Sequence, residues 1–216
     1  WIAGDQPTRH ERKRIEDNVG TMLGASFETT SLSMTWTLYF LLNCPTSEEN
    51  VRSEIAEAPH EGEPLSQWPR ILPRTTAALM ETMRVYPILP AIVRYATEGD
   101  AIEGASVRPG DFIVANLWTQ HRDERHWPDA VSYRPERFLH REARGGRQGG
   151  YFPFGIGPRA CVGTQFAMLE AVIVLATLLD TFEVTLLAPG PVKPQWRGTL
   201  RPDRPIPVRL RRRATA

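Results

Sequence analysis

The chain is poor in cysteine: Cys44 and Cys161 are its only two. Two such residues cannot form a disulfide framework, so a reducing compartment is expected. They also make a poor zinc site, which normally needs four clustered ligands. The five histidines do not fall at zinc-ligand spacings either. An excess of one charge is lacking too. The 26 basic and 25 acidic residues leave a formal charge of +1, so nothing draws the whole molecule to nucleic acid. The basic end "RLRRRATA" is local and reads as a solvated tail. Long apolar runs are absent. The longest stretch, "SLSMTWTLYFLLNC" at 31–44, is shorter than the roughly 20 residues a bilayer span requires. It reads as a buried helix. No charged-then-apolar leader precedes it, so no secretory signal is expected. A cytoplasmic location follows as the expectation for this chain, with an anchor elsewhere left open. A chain that opens on "WIAGD" is expected to start inside a larger protein.

What is present suits one folded domain. The 216 residues are 41% hydrophobic, enough to bury a core. No internal repeat and no linker divides them. A long helix is expected over 9–42, charged in its first third and apolar in its last, ended by Asn43 and Pro45. A second helix, over 46–58, is expected to be exposed, with Thr46 and Glu49 forming a capping box. A third is expected over 73–86. Pro73 suits its first turn, and Pro87 pushes Tyr86 out of the helical region. From 91 to 118 short β-branched runs split by Gly and Pro predict a small sheet with hairpins. An irregular segment covers 119–153, and irregular segments of this length tend to be functional. The stretch 164–182 is apolar on nearly every face and is expected to be a central buried helix. Strands with Pro-rich turns are expected over 183–213. The fold class is mainly α with small β-sheets (α+β).

The segment "FPFGIGPRACVG" raises a chemical question, because three glycines, two prolines and an arginine surround Cys161. A thiolate is a strong metal ligand that must be held deprotonated. Backbone N–H groups aimed at the sulfur and the positive end of a following helix both favour its charge. Gly155, Gly157 and Gly163 allow the chain to wrap tightly, and the apolar helix follows at once. A glycine-rich turn with an incidental cysteine is the alternative.

With the residues 154–163, "FGIGPRACVG", the chain resembles the cytochrome P-450 monooxygenases, whose haem loop reads Phe-Gly-x-Gly-x-Arg-x-Cys-x-Gly. The resemblance implies that Cys161 is the axial thiolate of a haem iron and that Phe154 packs near the sulfur. It also implies that Arg159 pairs with a propionate and that Gly163 belongs to the haem-binding loop. Such a thiolate pushes electron density onto iron and favours O–O cleavage. Two more motifs match in order. "ETMR" supplies Glu81 and Arg84, three residues apart on one helix face, and "PERF" supplies Arg137. The resemblance makes them a structural triad, a carboxylate between two guanidiniums. "ASFETT" matches the oxygen-activating helix, with Glu28 and Thr29 in the acid–alcohol positions that relay protons. A mid-helix Thr can bond back to a carbonyl and loosen the helix there. Ser26 departs from the family's usual Gly, adding a Cβ and a hydroxyl where the oxygen pocket is tightest.

Softer matches complete the set. In "YPILPAIVRYA", Ile88, Leu89, Ala91 and Ile92, together with Ala25 of the long helix, would line the substrate, and Arg94 would reach the second propionate. "QHRDERHWPDA" places His121 either near a propionate or in a structural role. The resemblance covers nearly the whole chain but only the C-terminal half of the family's usual length. It implies haem b, dioxygen and a small apolar organic substrate. Electrons would come from NAD(P)H through a ferredoxin or flavoprotein reductase, and a separate N-terminal half would roof the pocket. The arginines of "HREARGGRQGG" read as a solvated loop or as a dock for an acidic electron donor. The expected function is a haem-thiolate monooxygenase, here its haem-binding half. The alternatives are a truncated haem protein that acts as a sensor, carrier or peroxide-driven catalyst, or an inactive interaction remnant.

Overall fold

The computed structural model describes residues 8–58, 62–139, 150–187 and 190–213. Helix α1 spans Arg9–Leu42. It starts at a capping box in which Thr8 Oγ1 accepts from the Glu11 N–H at 3.3 Å and Glu11 accepts from the Thr8 N–H at 2.8 Å. The hydroxyls of Thr21, Thr29, Ser33 and Thr37 each donate to the carbonyl four residues back. The helix nonetheless stays regular over its whole length, so the expected loosening at Thr29 is not seen. Residues 9–27 are exposed, whereas Trp36, Tyr39 and Leu41 are buried.

Helix α2, Pro45–Glu57, differs from expectation in two ways. Pro45 takes the first helical position, where its missing N–H costs nothing. That moves the N-cap to Cys44 and leaves no Thr46–Glu49 capping box. The helix is also not an exposed one, because Val51 and Ile55 point into the core. A one-turn helix α3, Trp68–Ile71, leads into α4, Pro73–Val85. The first free N–H groups of α4, on Arg74 and Thr75, are taken up by the Glu54 carboxylate of α2 at 2.6 and 2.8 Å. A neighbouring helix therefore supplies the cap. Tyr86 closes α4 at φ −126°, ψ 77°, as its position before Pro87 dictates.

The strands pair in twos, all antiparallel. β1 (Ala91–Tyr95) pairs with β4 (Phe112–Asn116), and β2 (Asp100–Ile102) with β3 (Ala105–Val107). One continuous small sheet over 91–118 is therefore not formed. Turn bonds from Ala96 N–H to Asp111 O and from Gly110 N–H to Ala96 O close the first ladder before β2 begins. A short α5, Leu117–Gln120, follows. Helix α6, Thr164–Thr181, runs into β5 (Phe182–Leu186), which pairs with β8 (Val208–Arg212). The basic end is thus a strand as far as Arg212, not a solvated tail, and Arg211 pairs with Glu183 across the ladder. β6 (Pro194–Arg197) and β7 (Thr199–Pro202) form a hairpin about Gly198, whose φ of 82° favours glycine.

The main core gathers Leu41 of α1, Val51 and Ile55 of α2, Leu79 and Met83 of α4, and Val172, Ala176 and Leu179 of α6. Helix α6 is less buried than its composition implies. Ala171, Val172, Leu175, Ala176 and Leu179 are inside, while Phe166 and Val174 are exposed. By length and composition alone it could cross a membrane, which the apolar runs in the sequence did not suggest. Its buried stripe packs against α1, α2 and α4 as a core helix does. The arginines of "HREARGGRQGG", at 141, 144 and 147, lie outside the described residues, as do the first seven residues.

Candidate functional site

Two clusters hold the chemically active side chains. The first is built on α4. Glu81 and Arg84 lie three residues apart, and both side chains are fully buried. Arg84 binds Glu81 through both ends of its guanidinium, Nε to Oε2 at 2.7 Å and Nη2 to Oε1 at 2.8 Å. Its remaining donors reach the carbonyls of His121, Ala130 and Ser132 at 2.8, 2.7 and 3.1 Å. The Arg134 N–H donates to Glu81 Oε1 at 2.8 Å. Arg137 is the expected third member, but as an ion pair and not through hydrogen bonds to the carboxylate. Its Nε stands 3.4 Å from Glu81 Oε1 but makes no hydrogen bond. Its donors go instead to the carbonyls of Pro128 and Asp129 at 2.6 and 2.7 Å. The cluster thus ties α4 to 121–137, and burial makes the Glu81–Arg84 link strong only because every Arg84 donor is paired.

His121 belongs to the same cluster. Its Nε2 accepts the Phe152 N–H at 3.2 Å, and the ring is fully buried. Burial first, then the Arg84 charge, push its pKa down to about 4. It is a neutral structural acceptor that anchors the start of the cysteine loop, and not an exposed cation facing a carboxylate. The neighbouring Arg122 guanidinium stacks 3.4 Å from the Trp118 ring centroid.

The second cluster begins where that anchor ends. Gly155 and Gly157 adopt φ of 73° and 75°, conformations that side chains rarely take. They turn the chain so that the Cys161 N–H donates to Phe154 O at 2.9 Å. Phe154 packs against the main core and fixes the base of the loop. Cys161 itself is exposed. It stands two residues before Gly163, the N-cap of α6. A Cβ at Gly163 would sit 3.8 Å from the Cys161 sulfur. The positive end of an 18-residue helix therefore lies beside the thiol. Ile156, Val162 and Phe166 form exposed apolar surface around it. Arg159 is exposed in the loop's 3-10 turn, Gly157–Arg159. Arg94 is exposed on β1, where it donates to Val93 O. β1 reaches this loop, because a Cβ at Gly155 would meet Ile92 Cδ1 at 3.5 Å.

The donor set has a clear chemical meaning. Among the described residues no group of three His, Cys, Asp or Glu could share a metal ion. A lone open thiol suits a metal that brings its other ligands with it, as a planar macrocycle does. The apolar rim suits the face of such a ring, and exposed arginines suit its carboxylates. The residues present therefore fit a haem.

The expected relay and substrate residues are placed unevenly. Thr29 donates to Ala25 O at 2.8 Å, and Ser26 lies at a marginal 3.5 Å from Leu23 O. Among the described residues no hydrogen bond joins Glu28 to Thr29. Glu28 is held instead by Thr199 and Arg201 of β7, neither of which the sequence reading singled out. Their alternation in "TLRP" marks one strand face, but the partner of that face is a tertiary fact. Leu89 is exposed, and Ala91 and Ile92 are half-buried. Ile88 departs from the expectation, since its side chain is buried with Trp36, Tyr39 and Val192. Ala25 is exposed. A cleft of about 320 Å³ lined by Asn50, Glu54 and Arg74 shares no residue with the cysteine loop.

Comparisons with known proteins point the same way. The family model described as Cytochrome P450 matches residues 4–210. "Cytochrome P450 4V2" of Mus musculus is 30% identical over 220 residues, which cover 98% of this chain and 41% of that protein. "Protein LUTEIN DEFICIENT 5, chloroplastic" of Arabidopsis thaliana is 32% identical over 193 residues, 87% of this chain and 32% of its own length. The crystal structure of a cytochrome P450 (CYP102L1) matches with a TM-score of 0.83 at 31% identity, over 98% of this chain and 48% of that one. The chain thus spans less than half the length of the relatives it matches.

Proposed function

The chain belongs to the cytochrome P450 family and carries part of its fold, and on that premise we propose that it is the haem-binding part of a haem-thiolate monooxygenase. The observation that carries this reading is the lone exposed Cys161, set on a glycine-turned loop at the head of α6. Haem b bound there would supply reductive activation of dioxygen. The chain's own residues have separate tasks. Cys161 Sγ is the single protein ligand, set beside the N-terminal end of α6. Phe154 holds the loop against the core, and Gly163 caps the helix beside the sulfur. Arg94 and Arg159 pair with the carboxylates of the bound group. Thr29 Oγ1 and the Glu28 carboxylate hold and pass protons. Ala25, Leu89, Ala91 and Ile92 present apolar surface to a small organic substrate. Ile88 supports that segment from inside the core. Electrons would come from NAD(P)H through a ferredoxin or a flavoprotein reductase. Glu81, Arg84 and Arg137 hold the scaffold beneath the loop.

A second reading is favoured by one observation: among the described residues Glu28 is held by Thr199 and Arg201 and no hydrogen bond joins it to Thr29. A relay whose acid and alcohol are not joined suits a peroxide-driven or purely haem-binding role better than coupled hydroxylation. Two measurements separate these readings. Haem uptake by the chain, lost in Cys161→Ala, tests the site common to both. Product formed with dioxygen and a redox partner supports the first reading. Product formed with peroxide alone supports the second.

A further inference from the structure

The Glu28 carboxylate projects from α1 into the grip of another element. The Thr199 hydroxyl donates to Glu28 Oε1. Arg201 Nη2 lies 2.7 Å from the same oxygen. Arg201 Nε also donates to Thr199 Oγ1 at 3.2 Å. The three side chains therefore close a triangle, and both contacts to the carboxylate fall on Oε1, leaving the lone pairs of Oε2 outside it.

The hairpin is built to hold that triangle in place. Thr199 and Arg201 alternate with Leu200, so they share one face of β7 while Leu200 takes the other. Leu200 is buried and anchored through its backbone in two directions. Its carbonyl accepts from Trp36 Nε1 at 2.9 Å, two turns further along α1 from Glu28. Its N–H donates to Ile88 O at 2.8 Å. The strand is thus fixed to α1 independently of the triangle. Among the described residues the only charge facing Glu28 comes from this strand. Its neighbours on the same helix face, Gly24, Ala25, Ser31 and Leu32, carry none, and Arg201 is the one charged group acting on it from another element.

We propose that Arg201 and Thr199 are positioning residues for Glu28, which hold the carboxylate in one orientation with its Oε1 turned toward the β6–β7 hairpin. Their role deepens the proposed relay, and rests on the reading of Glu28 and Thr29 as its acid and alcohol. The hydrogen bond from Thr199 is the larger cause and the Arg201 charge the smaller, and together they draw the Glu28 pKa below its ordinary value. A carboxylate held this way does not store a proton at neutral pH. It accepts one briefly and passes it on, with Arg201, itself half exposed, at the solvent end of the triangle. A hairpin in contact with Ile88 thereby also connects the apolar segment at 88–92 to the acid.

The test reads Glu28 itself and needs no haem. The full chain is labelled with 13C at the Glu carboxyl carbon, and the Glu28 signal is identified by its loss in Glu28→Gln. Its titration is followed by NMR in the parent chain, in Thr199→Val, in Arg201→Gln and in Arg201→Lys. The parent is expected to titrate below the ordinary glutamate value of about 4.3. Thr199→Val and Arg201→Gln should each move the midpoint upward, Thr199→Val by more, and Arg201→Lys should restore most of the depression. The Leu200 amide signal, reporting its bond to Ile88, shows that β7 is still docked in each variant. A Glu28 midpoint at the ordinary value in the parent overturns the proposal. So does a midpoint that stays depressed in both Thr199→Val and Arg201→Gln. Haem uptake measured on the same samples answers the separate question of the haem site, so the two failures are distinguishable.

Discussion

Around Glu81 and around Cys161 the same chain builds opposite environments. At Glu81 the five N–H donors of Arg84 all find acceptors, and neither side chain of that pair is open to water. At Cys161 the thiol is exposed and its rim is apolar, with Val162 94% exposed. The first cluster is complete by itself and can only be damaged. The second offers a ligand and a surface and can only be completed by something that binds. His121 and Phe152 join the two, so the closed cluster fixes where the open one sits.

The largest effect should come from breaking the closed cluster. Glu81→Ala leaves Arg84 buried without its counter-charge, which typically costs about 3–5 kcal/mol. That is a large share of a domain's stability, and the urea midpoint should fall steeply or the fold be lost. Cys161→Ala removes an exposed thiol and should leave the urea midpoint unchanged while abolishing thiolate-type haem binding.

Acid should attack the same cluster through His121. Its folded pKa of about 4 lies below its ordinary value of 6.5. Between these values the unfolded chain binds the extra proton, so stability falls as pH drops from about 6.5 to about 4. The full loss is roughly 3 kcal/mol, an order-of-magnitude figure. Denaturant melts across that window should show the slope. His121→Gln should flatten it.

Smaller effects sharpen the contrast. Arg137→Ala loses two bonds to carbonyls but leaves Glu81 paired with Arg84. It should cost about 1–3 kcal/mol, measurably less than Glu81→Ala. Gly157→Ala meets no atom within 4 Å, so only the backbone at φ 75° resists it. A cost of about 1–2 kcal/mol is expected, with haem affinity falling more than the melting temperature does.

The closed cluster was the more legible of the two in the sequence. Glu81 and Arg84 lie on one helix face, and a three-residue spacing shows that they can pair; by itself it reads as a surface pair, and the triad came from the resemblance. Arg137 was legible as a neighbour but not in its bonding, because the carbonyls it serves come from a turn with no sequence signature. Helix α1 was readable from its change from charged to apolar residues. Helix α2 was misread at its start, since Pro45 took the first helical position ahead of Thr46. Ile88 looked like a pocket residue because an apolar side chain beside Pro87 can face either way, and its packing on Trp36 decided otherwise. Glu28 was found by its motif, while Thr199 and Arg201 were not, because a contact between residues so distant in sequence leaves no periodic trace. The Cys161 loop could be read because its glycines, its thiol and the following helix are contiguous.

The central claim is that Cys161 is the thiolate ligand of a haem. The most direct test is the difference spectrum of the haem-reconstituted, reduced chain with carbon monoxide, for the parent and for Cys161→Ala. The account predicts a thiolate-type Soret band in the parent and its absence in the variant, at equal folded content. A parent chain that takes up no haem, or a thiolate-type band that survives in Cys161→Ala, would contradict it.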